Sequence, residues 1–261
     1  VSVSKFCFGA GMFGYFGNPD EAECARMVDL ALDSGINYFD TSDVYSHGES
    51  ETILGKALKG KRENVILATK FSLPMDENPN HRGNSRRWIM QEVENSLRRL
   101  DTDYIDLYQV HRPDVTANVD ETLGALSDLI HQGKVRMIGT STFPAEQIVE
   151  AQWCAERRNR ERFWTEQPPY SMFARRIEAD VLPTCAAGAH RLGSWVPLPP
   201  APLNTTASRP PCCAVKSEPA DPHSTPFCGP RRNGDREGCL LYTSPSPRDR
   251  TRSRMPSSAG K

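Results

Sequence analysis

The sequence of 261 residues has almost no net charge, no apolar run of membrane length and no recognisable cysteine framework. Because the formal net charge is −1 at pH 7, nothing in the total favours a nucleic acid or a membrane surface as a partner. No apolar run approaches the roughly 20 residues that a membrane-spanning helix needs, and no secretory signal pattern is present. We therefore expect a cytoplasmic protein that binds neither nucleic acid nor membrane.

The cysteines have neither metal-ligand spacing nor the spacing of a secreted disulfide scaffold. Four of the eight lie in residues 1–185 and four in residues 186–261. We expect Cys7, Cys24, Cys154 and Cys185 to be reduced, mostly buried thiols. No metal site is predicted, and the sequence does not indicate an oligomeric state.

Proline is scarce in the first part of the chain and abundant in the second. Residues 1–185 hold 8 of the 21 prolines, and residues 186–261 hold 13. The segment 197–232 combines two Pro-Pro pairs with a Cys-Cys pair, and such a composition buries too little apolar surface to offset the entropy of ordering. We predict a folded region over 1–185 and an irregular, largely disordered tail over 186–261.

Short apolar bursts alternate with amphipathic helical stretches throughout the first part. Strands are predicted at residues 3–8, 36–39, 65–69, 105–110, 135–139 and 163–166. Helices are predicted at 19–34 with Asn18 as the N-cap, at 50–58, after Ser85, at 119–131 and from Ala145 onward. Six strand-then-helix units imply a parallel α/β sheet, either a barrel or a doubly wound sheet. No Gly-x-Gly-x-x-Gly follows a strand and opens a helix, so the usual dinucleotide fingerprint is missing.

Polar side chains stand at or just after the ends of three of these strands. Asp40 ends the second, with Tyr45 in the loop that follows; Lys70 ends the third and His111 the fourth. Carbonyl reduction needs a proton donor, and a phenol can serve where a nearby ammonium stabilises the phenolate. A carboxylate can hold that ammonium, and an imidazole can orient the carbonyl oxygen. Taken singly, each of the four residues would more often be a helix cap, a packing residue or a structural histidine.

Four stretches of the sequence resemble the aldo-keto reductases, over about residues 3 to 185. They are Gly-Ile-Asn-Tyr-Phe-Asp-Thr-Ser-Asp-Val-Tyr at 35–45 with its continuation to 51, Ile-Leu-Ala-Thr-Lys-Phe at 66–71, Asp-Tyr-Ile-Asp-Leu-Tyr-Gln-Val-His-Arg-Pro-Asp at 103–114, and Gly-Lys-Val-Arg-Met-Ile-Gly-Thr-Ser at 133–141. The resemblance implies a (β/α)8 barrel that uses NADP(H) to reduce aldehydes or ketones. It implies that Tyr45 is the general acid, that Lys70 tunes it, that Asp40 pairs with Lys70, and that His111 orients a small carbonyl substrate.

The resemblance also implies where the cofactor binds. Ser141 and Gln167 match the residues that hydrogen-bond the nicotinamide carboxamide, and Asp40 lies at the same site. Thr142 stands where many members have Asn. Gly11 and Met12 match the loop after the first strand that touches the nicotinamide. Without the resemblance, Ser141 and Thr142 could equally cap the next helix.

The chain also resembles a second group of proteins, the potassium-channel β subunits. These share the barrel but act as binding partners of a channel, and they usually have Asn at the position of His111. His111 therefore favours an enzyme. The alternative is a non-catalytic, nucleotide-binding regulatory barrel.

The family pattern breaks after Cys185. Residues 186–194 do not resemble the expected seventh strand, although Trp-Val-Pro-Leu at 195–198 falls in the expected register. No segment for the adenosine 2′-phosphate is recognisable. A reading-frame shift near Cys185 would explain the change, and Cys-Leu-Leu-Tyr-Thr-Ser-Pro-Ser-Pro-Arg-Asp at 239–249 resembles the translation of a sequencing adapter. We therefore expect an incomplete barrel of about six βα units and a truncated, impaired form of the enzyme.

Overall fold

The computed structural model describes residues 1–188 and 190–193. In this part of the chain, seven parallel strands pair in sequence order and curl into a half-barrel. The strands are β1 (Cys7–Gly9), β2 (Tyr38–Asp40), β3 (Ile66–Phe71), β4 (Ile105–Val110), β5 (Val135–Ser141), β6 (Thr165–Gln167) and β7 (Arg191–Leu192). The helices between them are α1 (Glu21–Asp33), α2 (Glu49–Ala57), α3 (Arg86–Leu100), α4 (Val119–His131), α5 (Ala145–Arg158) and α6 (Val181–Ala187).

The two faces of the sheet carry different apolar clusters. Tyr38, Ala68 and Leu107 form a small cluster on the inner face. Phe39 and Leu67 belong to the large cluster that the sheet shares with the helices. Because side chains alternate along a strand, the residue two positions after each member of the inner cluster also faces inward, at the carboxyl end of its strand. The half-barrel therefore collects polar side chains at one end, as parallel barrels do.

Several predicted elements are confirmed. Helix α3 begins after Ser85, whose hydroxyl accepts a hydrogen bond from the Trp88 amide. Strand β4, helix α4 and the start of α5 at Ala145 lie where the sequence predicted them. Local signals in the sequence are therefore sufficient to predict where these elements lie.

Other boundaries differ. Helix α1 begins at Glu21 rather than at residue 19, because Asp20 rather than Asn18 is its N-cap and accepts hydrogen bonds from the amides of Ala22 and Glu23 at 2.9 and 3.0 Å. Strand β3 extends to Phe71, so Lys70 lies inside it rather than after it. The first, second and sixth strands begin four, two and two residues later than predicted. Pairing with neighbours, which the sequence does not show, sets these limits.

The end of the folded region also needs correction. Helix α6 continues past Cys185 to Ala187, and a seventh strand, β7, follows within the segment predicted to have none. The amide of Arg191 donates to the Trp164 carbonyl at 2.8 Å. A two-residue strand with one apolar side chain has no readable alternation, so local sequence patterns do not predict it. The remaining tail, including the segments 195–198 and 239–249, lies outside the described residues.

Three of the four described cysteines are buried as expected. Cys7, which pairs with Tyr38 at the start of β1, is exposed instead. None of the described helices is both long and apolar enough to span a bilayer. Within residues 1–188 and 190–193, no three His, Cys, Asp or Glu side chains are grouped so that they could hold a metal ion.

Candidate active site

A buried ion pair lies at the carboxyl ends of β2 and β3. The Lys70 ammonium donates to Asp40 Oδ2 at 2.6 Å and to the Thr41 carbonyl at 2.9 Å. Lys70 is only 1% exposed. Burial lowers the pKa of Lys70, but the Asp40 carboxylate and the Tyr45 phenol raise it, and the net pKa lies above its ordinary value. Lys70 is therefore a fixed positive charge beneath the site.

The second oxygen of Asp40 faces two side-chain amides. Gln109 Nε2 lies 3.4 Å and Gln167 Nε2 3.3 Å from Asp40 Oδ1. Both glutamines are buried, so the carboxylate is held from several sides. Gln109 was missed in the sequence, although it stands two residues after the inward-facing Leu107 and two before His111. The alternation of β4 would have placed Gln109 on the inner face.

Tyr45 lies over the ion pair at the start of a 3-10 turn. Lys70 Nζ is 5.1 Å from the centroid of the Tyr45 ring. The His111 ring meets the Tyr45 ring edge-on, with 5.7 Å between centroids. The structure thus brings together the four side chains that the sequence singled out. Two come from strands, and His111 directly follows a third.

Most of the predicted cofactor residues lie around these same four side chains, and Met12 is the exception. A Cβ atom on Gly11 would stand 3.4 Å from Tyr45 Cε2, so the backbone of the loop after β1 lies against the tyrosine ring. Ser141 pairs with Gln167 in the sheet, and its hydroxyl donates to the Gln167 carbonyl at 2.9 Å. The Met12 side chain is 64% exposed. Nothing in the described structure joins Met12 to the site, and its role stays a prediction.

Thr142 has an unusual backbone conformation directly after β5. Its φ is +61°, which is uncommon for a β-branched residue. Its hydroxyl accepts a hydrogen bond from the Arg112 guanidinium at 2.7 Å, and its amide donates to the Gln167 carbonyl at 3.2 Å. Arg112, which the sequence did not single out, therefore ties the end of β4 to the end of β5.

His111 is neutral at physiological pH. Burial and the positive charges of Lys70 and Arg112 lower the pKa of His111 to about 3. Its Nδ1 atom lies 2.9 Å from the Ser42 hydroxyl. Ser42 is fully buried and was not among the predicted site residues. A neutral imidazole with one nitrogen engaged can present the other to a substrate.

A cavity of about 340 Å³ opens over these groups. It is lined by Asp40, Val44, Tyr45, Leu73, His111, Arg112, Ser141 and Gln167. A phenol and a neutral imidazole thus line one small space, and the Lys70 ammonium is hydrogen-bonded to the Asp40 carboxylate that lines it too. This arrangement can deliver a proton to a carbonyl oxygen while binding it by hydrogen bonds.

Several known proteins have sequences and a fold similar to those of this chain. The chain is 43% identical over 187 residues to the aldo-keto reductase YhdN of Bacillus subtilis, covering 70% of this chain and 55% of YhdN. It is 36% identical over 203 residues to a probable voltage-gated potassium channel subunit beta of Oryza sativa, covering 76% of this chain and 61% of that protein. The chain thus spans only 55 to 61% of the length of these two relatives.

The solved structure of aldo-keto reductase AKR11C1 from Bacillus halodurans, in its holo form, has a similar fold. The TM-score is 0.65 at 34% sequence identity, and the match covers 74% of this chain and 61% of that one. The aldo/keto reductase family model matches residues 5–201 of this chain. Its motifs, its parallel half-barrel and these matches show that the chain belongs to the aldo/keto reductase family.

Proposed function

We propose that the protein is an oxidoreductase that reduces small aldehydes or ketones to alcohols, with NADP(H) as its cofactor and Tyr45 as the general acid. The observation that carries this proposal is the stack of Asp40, Lys70 and Tyr45, in which a buried ammonium lies 5.1 Å from the centroid of the phenol ring. This family membership and fold support the reaction class.

The roles follow from the geometry of these groups. The Tyr45 hydroxyl donates its proton to the carbonyl oxygen as negative charge develops there. The Lys70 cation favours the phenolate that remains, and Asp40 keeps the ammonium in place. His111 binds the same carbonyl oxygen as a neutral hydrogen-bond donor, because its pKa of about 3 leaves the ring uncharged.

The residues at the mouth of the half-barrel fit a nicotinamide. The Ser141 hydroxyl and the Gln167 amide line the cavity and offer hydrogen bonds of the kind a carboxamide needs. Gly11 leaves space beside the Tyr45 ring that a larger residue would narrow. When bound, the reduced nicotinamide supplies the hydride that the substrate carbon accepts. Met12 and Thr142 are the remaining proposed contacts.

The proposal has two further parts, which concern the location of the protein and the state of its barrel. A cytoplasmic location agrees with the absence of disulfides among the four described cysteines. We also propose that this form is impaired, because β1 and β7 remain edges of the described sheet instead of closing a barrel.

Substitution of Tyr45 tests the proposed general acid. We expect Tyr45→Phe to lower the turnover of NADPH with a panel of aldehydes by about 10²- to 10⁴-fold, since the acid is lost and the ring is kept. Loss of NADPH absorbance measures the rate. Tyr104→Phe is the matched control, because Tyr104 stands at the other end of β4, between the Arg62 and Arg136 guanidinium groups. Equal rates for Tyr45→Phe and the unmodified protein would exclude Tyr45 as the acid.

The alternative is a non-catalytic, nucleotide-binding regulatory barrel, and the 36% identity to plant potassium channel β subunits is the observation in its favour. Titration with NADPH and with NADH, combined with an assay for aldehyde turnover, separates the two proposals. Nucleotide binding without turnover of any aldehyde would favour the regulatory barrel. A preference for NADH would contradict the proposed cofactor.

A further inference from the structure

We propose that Arg112 is a specificity-determining residue whose guanidinium binds a carboxylate on the substrate, so that the protein prefers small aldehydes or ketones that also carry a carboxylate group. This inference rests on the proposed function and deepens it, because it names a substrate class for the same site. Arg112 directly follows His111 in the sequence and lines the same cavity as His111 and Tyr45. A small molecule in that cavity therefore meets the proposed acid and the guanidinium together.

One edge of the Arg112 guanidinium is held by the protein and the other is not. Both of its hydrogen bonds within the described residues come from Nη1, which donates to the His111 carbonyl at 3.0 Å and to the Thr142 hydroxyl at 2.7 Å. These bonds use both protons of Nη1 and restrict the orientation of the group. In the described part of the chain Nη2 and Nε have no acceptor. Together they form an edge that can donate two parallel hydrogen bonds to a carboxylate.

The charge of Arg112 is not balanced at the site. Lys70 and Asp40 form an ion pair, so their charges offset each other. Within residues 1–188 and 190–193, no carboxylate forms an ion pair with Arg112. The Glu166 carboxyl, whose pKa the charge of Arg112 lowers, is hydrogen-bonded to the Thr140 hydroxyl instead. The cavity therefore has a net positive charge, which an anionic group on the substrate would complement.

Arg112 also lies at the junction of two cavities. Arg112 and Leu73 line both the cavity of about 340 Å³ and a neighbouring cavity of about 700 Å³. Of the described residues around the smaller cavity, Arg112 is the only one with a permanent positive charge, whereas Arg82 lines the larger cavity alone. A substrate whose carbonyl reaches Tyr45 thus has space for its carboxylate beside Arg112.

Two aldehydes of nearly equal size test this preference. In para-carboxybenzaldehyde the second group is a carboxylate, and in para-formylbenzamide it is a neutral amide. We expect kcat/KM of the unmodified chain to be about 10- to 100-fold higher for the carboxylate, because hydrogen bonds to charged groups have effects of that size. Arg112→Gln should reduce this ratio to about 1, since Gln keeps a donor and loses the charge. Equal kcat/KM values for the two aldehydes in the unmodified chain would overturn the proposal.

Two controls separate the substrate carboxylate from other effects of charge. Arg82→Gln, which removes the cation that lines only the larger cavity, should leave the ratio unchanged. If both variants lower the ratio equally, a general effect of charge is responsible and the proposal fails. The Kd for NADPH should be the same in Arg112→Gln as in the unmodified chain. A higher Kd with an unchanged ratio would assign the guanidinium to the cofactor and would also overturn the proposal.

Binding of the two alcohol products gives a readout that needs no turnover. By isothermal titration calorimetry, para-hydroxymethylbenzoate should bind the unmodified chain about 10- to 100-fold more tightly than para-hydroxymethylbenzamide, and Arg112→Gln should remove the difference. If the unmodified chain reduces no aldehyde, the proposed function fails, while the two dissociation constants still decide whether Arg112 binds a carboxylate. Equal dissociation constants in the unmodified chain would refute that role.

Discussion

At the scale of single residues, the site holds buried polar groups in states that are unfavourable in most other parts of a protein. Lys70 is a nearly fully buried cation, and Asp43 is a buried carboxyl with one unpartnered oxygen. A buried charge persists only where hydrogen bonds and a counter-charge support it, and Asp40 provides both for Lys70. Such concentrations of perturbed groups are typical of functional sites.

Thr142 offers a direct measure of this cost. A β-branched residue at a φ of +61° is strained, whereas Asn adopts positive φ several times more often. We expect Thr142→Asn to raise the free energy of unfolding by about 1 kcal/mol, because the strain is relieved and the amide oxygen can still accept from Arg112. Urea unfolding monitored by tryptophan fluorescence measures the change.

Thr142→Val is the matched control for this prediction. It keeps the branched shape and removes the hydroxyl that Arg112 contacts, so it should destabilise the fold. A Thr142→Asn variant less stable than the unmodified chain would show that the hydroxyl contact outweighs the strain.

At the scale of strands and helices, the sequence determined what local periodicity can determine. Sequence signals predict helix α4 with the limits that the structure shows, and they predict the start of α3 directly after Ser85. The start of α1 is predicted two residues too early, because Asn18 and Asp20 both have side chains that can cap a helix and local sequence does not choose between them. The sequence singled out the four polar residues that the structure brings together, and alternation along β4 would have added Gln109. Ser42 lies outside the strands, and only its contact with His111 in the folded chain draws attention to it.

The pairing of β5 and β6 buries a carboxyl that should make stability depend on pH. Glu166 faces the helix layer and is fully buried, and burial raises its pKa to about 7. Its oxygens contact the Thr140 hydroxyl at 2.5 Å and the Phe143 amide at 3.1 Å. In the unfolded chain the same carboxyl titrates near its ordinary pKa of about 4.3.

The direction of the pH dependence follows from the pKa values of Glu166 in the folded and unfolded states. Below about pH 4 both states are protonated, and Glu166 has no effect on stability. As the pH rises from about 4 to about 7, the unfolded state ionises first, so the free energy of unfolding falls, by up to about 3 kcal/mol. Above about pH 7 the loss is complete.

Glu166→Gln should abolish this dependence, because the amide keeps the shape and can donate to Thr140. We expect the variant to exceed the unmodified chain in stability by less than about 1 kcal/mol at pH 5 and by about 3 kcal/mol at pH 8. Urea midpoints at the two pH values measure the gap. Glu156→Gln, at an exposed position of α5, controls for the loss of one negative charge. A gap that does not grow with pH would contradict a protonated Glu166.

At the scale of the whole molecule, the described sheet is open. Strands β1 and β7 each pair with one neighbour, so among the described residues both present unpaired backbone N–H and C=O groups. The inner face holds the site and a small apolar cluster rather than the complete layers of a closed barrel. The proposed acid and its supporting side chains lie on or directly after β2 to β4, away from both edges of the described sheet.

The open edges predict self-association. We expect the mass of the protein in solution, measured by light scattering after size exclusion, to exceed that of a monomer and to rise with concentration, because exposed strand edges pair with other chains.

Phe6, directly before β1 and 63% exposed, gives a test. Phe6→Lys should shift the mass towards the monomer, because a charge beside an edge opposes pairing, whereas Phe6→Ser should not. If both variants reduce association equally, apolar contact through Phe6 rather than edge pairing is responsible. A monomer that unfolds in one cooperative thermal transition at all concentrations would show that the edges of β1 and β7 are protected in solution.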